Sequence, residues 1–564
     1  MHCDYRSIRG SRCSTTLSLG LLAISALSPG CTGPLDHALD EAVRRRLGPI
    51  ERIALEEHSA EPTITAAQAA EAGAEPITDP QPPDTVREIT IEEVRATALR
   101  YNLGLQVERL DPLIAAEILT EEEARFEAVF FGNTRYADTD PRINREVPSL
   151  GSPGVEQWAS EVGIEVPLRT GGTATVSTSH FAQGVKLPGV ADEHEIAARF
   201  SISQPLLRNA GYAVNQAPIR VAAAQHYQAS ARTRLAAIRV MTEAERAYWR
   251  FAFTARQVEV QRQLYENGLE QLRRAQRLAE EGVVAGIEAE RARAGLSRHV
   301  DAVIVAETQR RQAERQLKRI MNHPDLPVDG PTTLIPVSDP NPIYLALDAE
   351  NFTRHAMQHR MEMLDLELQL AIDAIQVDLA RNRTLPLVAL QFDYSFRGTH
   401  NSAGRAFNAM LHDDISDWLV GAEVRIPLGN EAARAALRRA LLQRLRTAGS
   451  KADQVEQIKQ DVHDALDQLQ QNWRRILAAR REVVLQGRIY EAEQRQFQAG
   501  TVTMTEVLDA AQFLADAQIR EIDALTDYEI AKVEFAYATG TVLGHGRVHW
   551  EGDQTYERLL PSER

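Results

Sequence analysis

The sequence predicts a mainly α-helical, internally duplicated chain with a smaller β part, and three observations carry that prediction. Gly282-Val283-Val284-Ala285-Gly286-Ile287-Glu288 and Gly500-Thr501-Val502-Thr503-Met504-Thr505-Glu506 each place a carboxylate six residues after a glycine, between two long Ala/Leu/Gln/Arg-rich stretches. Ser203-Gln204-Pro205-Leu206 and Arg425-Ile426-Pro427-Leu428 each close a strand-like run and open the long stretch before that glycine. Val455, Ile458, Val462, Ala465, Leu469, Asn472, Ile476, Ala479 and Val483 alternate spacings of three and four, the seam of a coiled coil. The two copies are offset by 222 residues at the prolines and 218 at the glycines. A half that cannot bury its own apolar face must find cover in its sister copy or in another subunit.

Composition narrows the function. At 564 residues with 6% aromatic and 25% charged residues, the chain suits long helical packing better than thick globular core. A formal net charge of -16 argues against nucleic acid, whose phosphates need clustered Lys and Arg. All three cysteines, Cys3, Cys13 and Cys31, lie at the front. Arg6, Arg9 and Arg12 precede an apolar stretch from about Leu17 to Leu27 and then Ser28-Pro29-Gly30-Cys31, the pattern of a secretion signal over 1–30. Its end is similar to a bacterial lipoprotein signal, which implies lipidation of Cys31. Leu27 stands one place too early for that signal and Pro29 is unusual in it, so ordinary cleavage nearby is the alternative. Beyond the signal no stretch approaches the roughly 18 apolar residues of a membrane-spanning helix, so a mature protein that crosses a bilayer must do so as strands.

The elements follow in order. Residues 31–85 comprise a charged helical stretch and a linker rich in Pro62, Pro76, Pro80, Pro82 and Pro83. Thr90-Ile91-Glu92-Glu93 has the form of a capping box and opens a helix to about Ala128. From Val129 the period changes to two: Val129 to Tyr136, then Val162, Ile164 and Val166, the run 173–179 after Gly171-Gly172, and Phe200 and Ile202. The second copy repeats this with Leu387 to Phe396 and Trp418 to Ile426. Trp158 and Trp418 both sit where a strand begins, which suits either an aromatic girdle at lipid headgroups or plain core packing. Long helices over about 206–281 and 430–499 reach on the order of 100 Å each. Leu264, Gly268, Leu272, Ala275 and Ala279 make a stripe on the first. Returning helices follow over about 286–321 and 503–540. Six prolines between 322 and 342 mark the boundary between the copies, which places the first repeat at 86–321, the second at 343–545 and a tail at 546–564.

No catalytic constellation stands out, and neither enzyme activity nor a cofactor is expected. There is no Gly-x-Ser-x-Gly elbow, phosphate loop, Cys-x-x-Cys or His-Glu-x-x-His. His355 and His359 share a helix face without an apparent third metal ligand, and His412-Asp413-Asp414 suits a polar loop tip. Glu288, Glu506 and Asp509 sit beside the glycine turns, where several copies could converge and favour cations. Read from spacing alone, they suit exposed first-turn charges on the helix dipole better.

Strands, a very long helix, a glycine turn, a returning helix, and the same again make a pattern that resembles the TolC family of outer membrane efflux proteins, from about Thr90 to Gly540. The resemblance is carried by Thr90-Ile91-Glu92-Glu93 with Ala98-Leu99 and Asn102, Phe200 to Leu207 with Gly211-Tyr212, Ala247-Tyr248-Trp249 and Trp418 to Leu428. Most specific is Phe497-Gln498-Ala499-Gly500-Thr501 followed by Glu506-Val507-Leu508-Asp509-Ala510, with Tyr528, Ala531 and Gly540 in the last helix. It implies a duplicated TolC-like fold in which about four strands per chain complete a trimeric 12-stranded outer membrane β-barrel above a periplasmic α-barrel. It implies a passive exit duct of a tripartite efflux or type I secretion system, a homotrimer in outer membrane lipid that works with a periplasmic adaptor and an inner membrane pump. By the same resemblance Gly282, Gly500 and Thr501 lie at the adaptor-contact tip, and Glu506 and Asp509, with Glu288, line the periplasmic entrance. Where some members latch the closed tip with polar side chains, this chain has Phe497 and Val502, so a gate must close by other contacts. The strand region 129–204 is longer than the family's and has room for an extra hairpin. The rival reading is a periplasmic coiled-coil scaffold or adaptor without a pore, against which the paired strand sets with Trp158 and Trp418 argue.

Overall fold

A computed structural model describes residues 85–140, 154–187, 189–345, 348–413 and 415–546. The chain divides into two units, 1–74 and 75–564, and the described residues all belong to the second. The expected secretion signal, Cys31 and the Pro-rich segment before residue 85 lie outside them.

The first repeat opens with β1 (Thr85–Ile89), α1 (Ile91–Tyr101), α2 (Leu103–Glu108) and α3 (Asp111–Ala124). The sequence pattern predicts one helix from Thr90 to about Ala128, whereas the chain breaks twice. Thr90 caps α1, its hydroxyl accepting from the Glu93 N–H at 3.2 Å. Asn102 ends α1 because its amide is used elsewhere: Oδ1 accepts from the Leu105 N–H at 3.0 Å and Nδ2 donates to the Ile320 carbonyl at 2.9 Å. Pro112, which lacks an N–H, stands in the first turn of α3.

Four strands follow, β2 (Val129–Thr139), β3 (Val155–Pro167), β4 (Thr173–Val185) and β5 (Glu193–Pro205). The short α4 (Tyr212–Asn215) leads into α5 (Ala217–Glu280), and α6 (Gly286–Met321) returns. The expected linker 322–342 holds β6 (Thr332–Pro336), which pairs in parallel with β1. The second repeat comprises α7 (Ala349–His359), α8 (Met361–Asn382), β7 (Leu387–His400), α9 (Ala403–His412), β8 (Ser416–Arg425), α10 (Glu431–Gln498), α11 (Met504–Thr539) and α12 (Val542–His545).

Each long helix packs on its returning partner, α5 on α6 and α10 on α11, and α11 also packs on α5. Nearer the strands, α3, α5, α8 and α10 lie side by side, so four helices stand abreast in each half. The heptad seam of α10 is buried as its spacing predicts, with Ile458, Val462, Leu469 and Ile476 inside. Asn472 sits in that seam and donates to the Asp527 carbonyl of α11 at 3.1 Å, a polar contact that fixes one register between the helices. Glu245 of α5 is wholly buried and takes both Nε and Nη2 of Arg95, at 2.7 and 3.0 Å, tying α1 to the long helix.

One antiparallel sheet holds β2-β3-β4-β5-β7-β8 in that order. It contains six strands rather than the four that the family resemblance implies, because the long 129–204 segment folds as two hairpins instead of one. Its register sorts the side chains by parity. Phe130, Ile164, Val176, Phe200 and Tyr394 form a row across the sheet that ends at Trp418. The other face carries Glu161, Ser179 and Ala197 opposite Arg397, and Glu165, Thr175, Ser201 and Asp393 in a parallel row. Trp158 and Trp418 are 47% and 71% exposed on the apolar face of the single chain, which suits a girdle. The helix α9 lies against that same face. A Cβ on Gly398 would come within 2.2 Å of the Ala406 oxygen and the Met410 nitrogen, so only glycine admits the helix there. Phe407 and Leu411 stay exposed.

Candidate functional site

The two glycine turns are built alike. Gly282 and Gly500 have φ of +70° and +72°, the left-handed conformation that ends a helix. After each, a backbone N–H reaches back into the helix: Val283 to the Leu278 carbonyl at 2.9 Å, Thr501 to the Gln496 carbonyl at 3.1 Å. A Cβ at either glycine would meet no atom within 4 Å, so the requirement is for conformation and not for space. The Thr501 hydroxyl adds a second bond to the Gln496 carbonyl at 2.9 Å.

One apolar cluster joins the two turns, drawing Leu272 and Ala275 from α5, Ala292 and Leu296 from α6, and Met504 and Leu508 from α11. Phe497 is buried in it and Val502 packs against it. These are the two positions where the family resemblance leaves polar latch residues missing, and here they serve as core between the hairpins.

The three acids fall into distinct settings. Glu506 completes a capping box with Thr503, its carboxylate accepting from the Thr503 N–H at 2.5 Å. Glu288 crosses between the repeats: one carboxylate oxygen accepts from the Met504 N–H at 3.2 Å, and the other pairs with Arg291 at 2.7 Å. Both carboxylates therefore gather at the N-terminus of α11, where the helix dipole favours negative charge. Asp509 stands exposed one turn further along. The Thr503-x-x-Glu506 pattern is visible in the sequence, whereas the Glu288 contact depends on bringing residues 216 positions apart together.

Sequence reasoning does not single out His299. It is buried on α6, with its Cδ2 2.9 Å from where a Cβ on Gly268 would stand, so the glycine in the α5 stripe makes room for the imidazole. Its Nε2 has no partner. Burial, reinforced by Arg298, lowers its pKa below the ordinary 6.5. A histidine held neutral in the fold binds fewer protons than in the unfolded chain, so it destabilises the folded state as pH falls below about 6.5 and is silent above that. The thermal midpoint of helical circular dichroism is expected to drop less between pH 7.5 and 5.5 in His299→Leu than in the wild type. Equal drops in both would show that His299 takes up its proton in the fold as readily as in the unfolded chain.

His355 and His359 are stacked, with ring centroids 3.9 Å apart, and His359 Nδ1 donates to the His355 carbonyl. Among the described residues no three His, Cys, Asp or Glu side chains are grouped to hold a metal ion.

A sheet that is apolar on one face, polar on the other and open at both edges has the form of a segment of a transmembrane barrel wall. No described helix is long and apolar enough to cross a membrane. Helical hairpins hang from the strands of this wall segment. Residues 353–541 match the family model described as outer membrane efflux protein. The fold is similar to that of the Campylobacter jejuni CmeC outer membrane channel, with 14% identity over 83% of this chain and 88% of that one and a TM-score of 0.60. It is similar to a membrane protein from Pseudomonas aeruginosa, with 15% identity over 82% and 92% of the two chains and a TM-score of 0.61. It also resembles the outer membrane protein VceC of Vibrio cholerae, with 12% identity over 80% and 96% and a TM-score of 0.58. At these identities the likeness is one of fold. No curated protein matches the chain by sequence.

Proposed function

We propose that the protein is the outer membrane channel-tunnel of a tripartite efflux or type I secretion machine. It is a passive exit duct and not an enzyme, with the sheet in the outer membrane and the helices in the periplasm. The observation that carries this reading is the continuous apolar face across six strands, joined directly to long helical hairpins that end in matched glycine turns. A coiled-coil scaffold would have no use for such a face. Three copies close the wall, which removes the unpaired strand edges that lipid cannot satisfy. The turns at Gly282, Gly500 and Thr501 meet a periplasmic adaptor, and through it an inner membrane pump. Glu288, Glu506 and Asp509 ring the entrance, and Cys31 carries lipid as a second anchor.

Fractionation of cells fed radiolabelled fatty acid tests location and anchor together. Wild type and Cys31→Ala are both expected in the outer membrane as heat-modifiable trimers, with label in the wild type alone. Recovery of the wild type in the soluble periplasm would favour the scaffold, and equal label in both proteins would remove the lipid from Cys31.

A further inference from the structure

The strand count has a consequence for the duct that depends on the trimeric reading above. The strands of this sheet run 10 to 14 residues, enough to cross an outer membrane at a tilt. The parity rule does not stop at the inner four strands. On β2, Phe130 and Tyr136 face the apolar side, and on β8 Trp418, Val420 and Val424 do, all of them exposed. Both edges are therefore dressed for lipid on one face, and both carry a ladder of backbone groups without a strand neighbour among the described residues. β4 is paired on both sides, by β3 and by β5, so it offers no edge.

From this we infer that three copies close an eighteen-stranded barrel, β2 of each subunit pairing with β8 of the next, in place of the twelve strands implied by resemblance. Perimeters favour it. Four helices abreast in each subunit make twelve in the trimer, and at about 9–10 Å between axes they ring a circumference of about 110–120 Å. Eighteen strands about 4.8 Å apart and tilted by about 40° ring about 110 Å, whereas twelve at that tilt ring only about 75 Å. The wider wall continues the helical ring without a taper, and its strand number is that of barrels which hold an open aqueous channel.

Cross-linking at the seam tests the count. In a background with Cys3, Cys13 and Cys31 replaced by alanine, Thr134→Cys on β2 is combined in turn with Val420→Cys, Ala422→Cys and Val424→Cys on β8. The same β8 set is combined with Thr178→Cys on β4. All of these positions share one face. Oxidation is expected to give disulfide-linked dimers and trimers for at least one β2–β8 pair and none for β4–β8. Light scattering corrected for detergent reports subunit number separately. A trimer that cross-links through β4 and not β2 overturns the eighteen-stranded wall while leaving the channel reading intact, and so does a trimer in which no pair cross-links. A mass other than three subunits overturns the trimeric reading and the strand count with it. Where a variant fails to assemble, the section through the barrel of the unmodified trimer in electron cryo-microscopy decides, with eighteen strands supporting the inference and twelve ending it.

Discussion

Phe200→Arg is expected to keep the protein out of the outer membrane, whereas Ser201→Arg, one residue along the same strand, is expected to leave assembly intact. Phe200 lies near the middle of β5, between Val176 of β4 and Tyr394 of β7 on the apolar face. An arginine facing lipid at mid-depth costs roughly 2–4 kcal/mol, and three subunits would each carry one. Ser201 points to the opposite face, beside Thr175 and Asp393, where water and a carboxylate can receive a guanidinium. The yield of heat-modifiable trimer in outer membrane fractions measures both. Equal losses would mean that the two faces do not differ in solvent, and the sheet would then not be a barrel wall.

Neutralising the entrance gives the second large effect. Glu506→Gln with Asp509→Asn is expected to abolish cation preference in planar bilayers and to weaken block by multivalent cations. Three subunits would bring six exposed carboxylates into one opening, a charge density that persists within a screening length of about 8–10 Å. Glutamine can still accept from the Thr503 N–H, so the capping box survives the change. Glu288→Gln is expected to shift selectivity less, because it removes one negative charge per subunit where the double variant removes two. Unchanged selectivity in the double variant, in channels shown to be trimeric, would return both acids to the role of ordinary helix charges.

Much of the architecture is written in local chemistry. The return helices span Gly286–Met321 and Met504–Thr539, as predicted to within a residue, because a left-handed glycine and an N-cap are decided over four or five positions. The breaks at Asn102 and before Pro112 were harder to see, since the amide of Asn102 answers to the Ile320 carbonyl more than two hundred residues away. Residues 193–199, Glu-His-Glu-Ile-Ala-Ala-Arg, hide their strand for another reason. The apolar residues of that stretch are only Ile196 and two alanines, and its alternation emerges only when Ile196 and Ala198 are laid beside Gly398 and Phe396. At the candidate site the glycines and the acids were legible one by one. Their sorting into a cap, a bridge and a free charge was not, because it depends on how one repeat leans on the other.

The bond from Met504 N to Glu288 joins a side chain to main chain, and that asymmetry bears on how such a contact is inherited. No substitution at position 504 short of proline removes the donor, because every other residue presents the same N–H. Control of the bridge between the two hairpins thus rests with a single codon, that of Glu288. Drift at the second repeat leaves the bridge standing, while one change in the first repeat is enough to release it.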